Sequence, residues 1–187
     1  MVSLGALWMP IVLSAVAVFV ASSVIHMMLN YHRADYKKLP NEDRVADVLR
    51  GDNLERGTYV FPYAGSMAGM KDPGFQERFK RGPVGSMTIM RAGSPGMGKM
   101  LGQWFAFSLV AGVFAAYVAG RTLGPGAEYL QVFRVAGTTA FLAYSGSEAT
   151  KSIWFGQLWS VTARHWLDGI IYALLTGGFF GWLWPSM

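Results

Sequence analysis

The last stretch of the chain constrains its fold most: Trp159 to Trp184, WSVTARHWLDGIIYALLTGGFFGWLW. From Gly169 onward it carries no charged side chain and is rich in Leu, Ile, Phe and Gly. At about 1.5 Å rise per residue, roughly 20 such residues match a hydrocarbon core about 30 Å thick. Trp166 marks one end and Trp182 and Trp184 the other, as befits amphipathic rings that settle at headgroup depth. The expectation is a membrane helix. Just before the apolar run stand Arg164, His165 and Asp168, the most polar cluster beside any such segment here.

Three further segments follow the same logic. Val2 to Tyr31 has no formal charge, and His26 is its one group that titrates near neutral pH. It lacks the Lys/Arg flank of a signal peptide and is too long for a simple signal core, so it reads as an uncleaved helix. Ser14, Ala17, Ala21 and Ser22 offer it a close-packing stripe. Met100 to Gly120 is the second span, with Trp104 near its start and Arg121 just past its end. Gly112, Ala116 and Gly120 recur at i, i+4 and i+8, a row of small residues that lets a neighbouring backbone approach. Tyr129 to Tyr144 is the third span; it is short and carries Arg134 about one turn in, where a long side chain snorkels outward. The alternative there is a helix lying in the interface. Gly146 to Gln157 forms a loop, and SIWFGQLW within it has interfacial character.

Charge is concentrated elsewhere. Twelve of the sixteen Lys and Arg lie between Arg33 and Lys99, with eight of the eleven acids. Mixed signs make this a solvated surface beside anionic headgroups rather than a nucleic-acid face. Arg33, Lys37 and Lys38 directly follow the first span, so the positive-inside rule puts this block in the cytoplasm and both termini in the periplasm. Within it, Asn41 is placed to cap a helix over Glu42–Arg50 that Gly51 ends. TYVFPY (Thr58–Tyr63) and PVGSMTIM (Pro83–Met90) are β-prone, Asp72-Pro73 opens a second short helix to Lys80, and Arg91–Gly96 is a turn. The block is small for an independent core and is expected to pack on the membrane face or on a partner.

The predicted organisation is therefore an all-α integral membrane protein of four transmembrane helices with a small α+β cytoplasmic insertion between helices 1 and 2. Residues 1–31 form helix 1, 32–99 the insertion, and 100–187 helices 2 to 4, at about 100–120, 129–145 and 161–184. No internal repeat is evident.

This topology brings polar groups to one depth: His26, His32, Glu148, Arg164, His165 and Asp168. On a helix, Arg164 and Asp168 are i,i+4 neighbours and His165 and Asp168 are i,i+3, so Asp168 is placed to orient His165. His26, His165 and Asp168 are the candidate cofactor-binding set, and His26, His32 and His165 the candidate metal ligands. Haem ligation would need His26 and His165 at facing positions. The structural alternative is an interfacial ion pair with histidines at headgroup depth. With no cysteine, thiolate nucleophiles, iron–sulfur clusters and Cys-based zinc sites are excluded. Met67/Met70, Met87/Met90, Met97/Met100 and Met27-Met28 suggest Cu(I), but thioethers also fill irregular packing at membrane surfaces. Gly93 to Lys99, GSPGMGK, fits a phosphate loop, yet Met100 stands where Ser or Thr would hold Mg²⁺.

With YLQVFRVAGTTAFLAY, WSVTARHWLDGIIYALLTGGFFGWLWP and LPNEDRVADVLR in view, the chain resembles a family of small, uncharacterised bacterial inner-membrane proteins over most of its length. The resemblance implies a bacterial inner-membrane location and carries no activity or site residue. The leading functional expectation is a non-catalytic accessory or assembly subunit of a larger membrane complex, respiratory or photosynthetic. Its partners are the lipid bilayer and other membrane subunits, with no nucleic acid, no assigned cofactor and no catalytic residue. The alternatives are a small transporter, for which only Gln103, Ser108, Thr138, Thr139 and Thr176 offer mid-membrane polarity, or a metal- or haem-binding membrane protein using the His/Asp cluster.

Overall fold

The computed structural model describes residues 1–93 and 96–186. The chain is mostly helical with one small two-stranded sheet, and it divides into two units. The first comprises Met1–Tyr36, Gly96–Ile153 and Gln157–Met187; the second comprises Lys37–Pro95 and Trp154–Gly156.

Four long helices make the first unit: α1 (Trp8–Met27), α4 (Met97–Thr122), α5 (Tyr129–Ser145) and α7 (Trp159–Trp182), with α2 (Glu42–Gly51) and α3 (Pro73–Arg81) in the second unit and α6 (Glu148–Phe155) before α7. A 3-10 turn, Leu4–Leu7, leads into α1, and its Ser3 hydroxyl accepts from the Ala6 N–H. The expected first span, Val2–Tyr31, is shorter as a helix. Its ladder closes at Met28, and Tyr31–Asp35 forms a separate 3-10 turn that folds back against α7. Glu128 and Gln131 make a reciprocal capping box that starts α5.

α1 packs on α4 and α7, and α5 packs on α4 and α7, so the four close a ring. Neighbours run antiparallel. The Val2 N–H donates to the Gly120 carbonyl (2.9 Å), and the Gly126 N–H to the Pro185 carbonyl (2.8 Å). Both ends of the chain thus meet the α4–α5 connection at one end of the bundle, while Tyr31–Asp35 and the first turns of α7 meet at the other.

The residues that fill this bundle are unusual for a core. Buried positions include Ile11, Ser14, Ala15, Val18, Ser22 and Ile25 on α1; Ser108, Ala111, Gly112, Ala115, Ala116, Ala119 and Gly120 on α4; Val132, Ala136, Gly137 and Ala140 on α5; and Val161, Gly169, Tyr172, Ala173, Thr176, Gly177 and Phe180 on α7. The exposed positions on the same helices include Val12, Leu13, Val16 and Val20, then Phe107, Val110, Val113 and Phe114, then Leu142, and Leu167, Ile170 and Leu174. Small and weakly polar side chains make up the whole buried face of α4 and much of that of the other three helices, with Val18, Val132, Tyr172 and Phe180 buried among them, while many large apolar side chains point out. Backbones approach closely as a result. A Cβ on Gly177 would lie 2.8 Å from the Phe133 carbonyl oxygen, and one on Gly120 would lie 2.6 Å from the Val2 carbonyl oxygen. Gly112 meets the Ile11 backbone in the same way, so the Gly112–Ala116–Gly120 row faces the start of the chain.

Two segments, Leu4–Met27 and Met97–Thr122, are long and apolar enough to cross a membrane. At about 1.5 Å per residue, the 26 residues of α4 reach about 39 Å. α5 has 17 residues, about 25 Å by the same rise, and α7 carries Arg164, His165 and Asp168 in its first turns. These features separate α5 and α7 from the other two on length and composition.

In the second unit, α2 (Glu42–Gly51) and α3 (Pro73–Arg81) accompany strands β1 (Gly57–Phe61) and β2 (Gly85–Ile89). The strands pair antiparallel, with Tyr59 opposite Met87 and Phe61 opposite Gly85. Asp72 caps α3 by accepting from the Phe75 N–H at 2.8 Å. Asn41 does not cap α2 with its side chain; its backbone turns into the left-handed region, φ 54°, and its carbonyl accepts from Val45. The GSPGMGK stretch and the Arg91–Gly96 turn include Ser94 and Pro95, which lie outside the described residues. Phe75 is the one buried hydrophobic side chain of the unit among the described residues, whereas Val48, Val60, Met67, Met70, Phe79 and Val84 are exposed.

The close approach of α5 and α7 predicts the effect of adding volume there. Gly177→Val should lower the melting temperature of the purified protein by the equivalent of about 1–3 kcal/mol, the usual cost of overpacking. Gly102→Ala, where an added Cβ meets nothing within 4 Å, should be neutral or raise it by up to about 1 kcal/mol. Equal responses to the two substitutions would contradict the packing described.

Candidate functional site

A polar cluster forms where the turn after α1 meets the start of α7. α7 turns its Asp168 side chain inward, and burying a carboxylate in this way requires compensating donors. They come from the 3-10 turn Tyr31–Asp35. The Tyr31 hydroxyl donates to Asp168 Oδ1 in a short bond, and His32 Nε2 lies 2.8 Å from Asp168 Oδ2. The other nitrogen of the same ring, His32 Nδ1, lies 2.6 Å from Asp35 Oδ2. Arg164 Nε donates to Asp35 Oδ1 at 2.6 Å. The side chains of His32, Asp35 and Asp168 are only 11%, 5% and 4% exposed.

The protonation pattern follows from this geometry. An ionised carboxylate only accepts, so the donors that serve Asp35 and Asp168 are the His32 ring, the Arg164 guanidinium and the Tyr31 hydroxyl. Burial by itself would raise the Asp35 carboxyl, but the hydrogen bonds from His32 and Arg164 and the guanidinium charge outweigh it and hold the group below the ordinary carboxylate range. Burial, the hydrogen bond to Asp168 and the charges of Asp168 and Asp35 push the Tyr31 phenol well above its ordinary value.

The other two histidines flank His32. The His26 ring stacks on it with centroids 4.7 Å apart and planes within 7°, and the His165 ring lies at 5.2 Å. His26 Nδ1 donates to the Ser22 carbonyl at 2.9 Å, which leaves its Nε2 for another partner. One donor atom each from His26, His32 and Asp168 lies within 4.8 Å of the others, and the same holds for His32, Asp35 and His165. His26 and His165 fall in separate sets, each with His32. Nothing pairs them as the two ligands of one haem. One turn further along α7, Tyr172 joins Trp104 and Tyr144, with centroids 5.4 to 6.0 Å apart, as an aromatic layer beneath the cluster.

Several expected pairings resolve differently. Arg164 reaches Asp35 rather than Asp168, and Asp168 holds Tyr31 and His32 rather than His165. Glu148 pairs with Lys151 within α6 at 2.7 Å. The methionines of the M-x-x-M pairs, Met87 aside, are exposed and stand on separate elements. Ser108, Thr139 and Thr176 each donate to the carbonyl four residues back in their own helix, so they satisfy themselves rather than form a polar file. Asp35, which now stands at the centre of the cluster, gave no sign of this in the sequence.

No family model matches this chain, and no curated protein or solved structure is similar to it. The chemistry must be read from the cluster.

A depressed carboxylate contributes stability above its unfolded value, near 4, and that contribution is lost as the pH falls through the lower folded value. Thermal stability should therefore drop as the pH is taken from about 5 to below 4. Asp35→Asn should flatten that drop and destabilise the protein at neutral pH by on the order of 3 kcal/mol, because His32 and Arg164 lose their charge partner. Melting temperatures across pH for the two proteins check this.

Proposed function

We propose that the chain is an integral membrane protein in which all four long helices cross the bilayer, and that it serves as a non-catalytic accessory or assembly subunit docked on a larger membrane complex. The inside-out distribution of side chains supports the membrane part. In water, a core this rich in Ala, Gly and Ser, with so many Val, Leu, Ile and Phe left on the surface, has little driving force to form. In lipid there is no hydrophobic gain from burying leucine, so small residues that let backbones approach form the contacts and large apolar ones face the tails. The pattern is cleanest on α4; α1, α5 and α7 show it with Val18, Val132, Tyr172 and Phe180 buried among the small residues. Arg134, near the start of α5, is exposed, as a snorkelling side chain needs to be. Arg33, Lys37 and Lys38, directly after the first helix, support by the positive-inside rule a cytoplasmic location for residues 37–95 in a bacterial inner membrane, with both termini periplasmic.

The observation that carries the subunit part is the second unit. It has one buried hydrophobic side chain, Phe75, among its described residues, and leaves Val48, Val60, Met67, Met70, Phe79 and Val84 exposed. A block with so little core gains little from folding alone, and a partner surface that covers these side chains supplies what is missing. The occupant we infer is a neighbouring membrane subunit, because its cytoplasmic face is fixed at the same depth.

Two measurements test this. The protein should stay with the membrane pellet after washing at high pH, and recovery in the soluble wash would contradict the spans. After mild detergent extraction it should migrate as an assembly well above its own 20.5 kDa plus detergent. Replacing Val60 and Phe79 together by Asp should release it from that assembly without loss of helical signal. Migration of the unaltered protein as a lone monomer would overturn the subunit reading and leave the membrane reading in place.

A further inference from the structure

The polar cluster has a feature that an ion-pair network alone does not require: three potential metal donors share one locus, and each has a partner on its far side. His26 offers Nε2, and its Nδ1 donates to the Ser22 carbonyl at 2.9 Å. His32 offers Nε2, and its Nδ1 donates to Asp35, which Arg164 holds in turn. Asp168 offers Oδ2, and its Oδ1 accepts from Tyr31. Metal-ligating histidines characteristically donate their other N–H to a carbonyl or carboxylate, and ligating carboxylates are themselves hydrogen-bonded. From this juxtaposition we propose that His26, His32 and Asp168 bind a divalent transition metal ion, with Ser22, Asp35 and Tyr31 orienting the three ligands.

The geometry is close to what such an ion needs. Donors at about 2.0–2.2 Å from a tetrahedral metal stand about 3.3–3.6 Å apart. Here one donor from each residue lies within 4.8 Å of the others, and His32 Nε2 and Asp168 Oδ2 are already at 2.8 Å. His26 is exposed, so a small shift of its ring that keeps the Ser22 hydrogen bond has room to close the remaining gap. The hydrogen bond between His32 Nε2 and Asp168 Oδ2 spans the place the ion would take, and any proton in it must leave. Metal binding would release it to solvent, and His32 would then ligate as a neutral ring. With the histidines neutral, Asp35, Asp168 and Arg164 together carry one net negative charge toward a dication. Two imidazoles and one carboxylate favour Zn²⁺, Fe²⁺, Co²⁺ or Mn²⁺ over Mg²⁺ or Ca²⁺, and three protein ligands leave a coordination position open.

The neighbouring set, His32, Asp35 and His165, is the weaker one. There the carboxylate that would ligate is Asp35, whose other oxygen already holds the Arg164 guanidinium. A fixed cation so close opposes a second cation by direct Coulomb repulsion. His165 therefore serves as the internal control.

The test uses the full chain in detergent, stripped with chelator and titrated with Zn²⁺ alone by calorimetry. Co²⁺ serves as an optical probe of the ligand field. One equivalent should bind, releasing protons and raising the melting temperature as the free metal exceeds its dissociation constant. Asp35→Asn should weaken binding about 10–100-fold, and His26→Ala at least as much. His26 stands outside the ion-pair network, so its loss leaves the fold intact, and an unchanged circular dichroism spectrum confirms that. His165→Ala should bind as the unaltered protein does. Absence of saturable binding, binding indifferent to His26→Ala, or loss on His165→Ala with His26→Ala unaffected would each overturn the proposal. None of these outcomes bears on whether the chain docks on a larger complex.

Discussion

The distance of closest approach between helices is the constraint on which the rest of the structure depends. α5 and α7 can touch along their length only because Gly137 and Gly177 place backbone against backbone, with carbonyl oxygens where side chains would otherwise be. α4 meets the chain's first residues in the same way at Gly112 and Gly120. Contacts of this kind gain dispersion energy over many atom pairs and need no expulsion of water. They also fix the register of each pair. Once the register is fixed, Asp168 and Gly169 stand level with the end of α1 and the end of α5, and the polar cluster has its location.

That cluster answers a second demand. A carboxylate buried beneath a helix end is costly unless donors reach it, and α7 supplies none of its own. The chain solves this by ending α1 at Met27 and folding Tyr31 and His32 back onto Asp168. Asp35 then takes the other His32 nitrogen, and Arg164 donates to Asp35. The turn is pinned to α7 by polar side chains and by the packing of Tyr31 against Val18, Ile25 and Tyr172. In the proposed topology this is the cytoplasmic end of the bundle, and His26 is exposed there.

The sequence made some of this legible and hid the rest, for physical reasons. Helix packing could be read because small residues recur with helical period: Gly112, Ala116 and Gly120 all lie on the buried face of α4. The short helix from Asp72-Pro73 could be read because its cap is local, and it runs over Pro73–Arg81. The pairings in the cluster could not. Within one helix, Arg164 and Asp168 are natural partners, but the Asp35 carboxylate arrives from 129 residues away and takes the guanidinium instead. Asp35 itself sits among Arg33, Lys37 and Lys38, where an acid looks like ordinary surface. The left-handed backbone at Asn41 likewise has no signature beyond the residue type, which serves caps and turns alike.

The proposed topology puts both chain ends and the α4–α5 connection on one side of the bilayer and residues 37–95 on the other. The chain has no cysteine, so single cysteines report sidedness without background. Gly5, Gly51 and Gly124 each accept a side chain with nothing within 4 Å of its Cβ. In intact bacterial cells, a thiol reagent that cannot cross the inner membrane should label Gly5→Cys and Gly124→Cys alike. It should reach Gly51→Cys only after that membrane is opened. Labelling of Gly51→Cys together with Gly5→Cys in intact cells, or opposite sidedness of Gly5→Cys and Gly124→Cys, would contradict four helices crossing lipid in the order described.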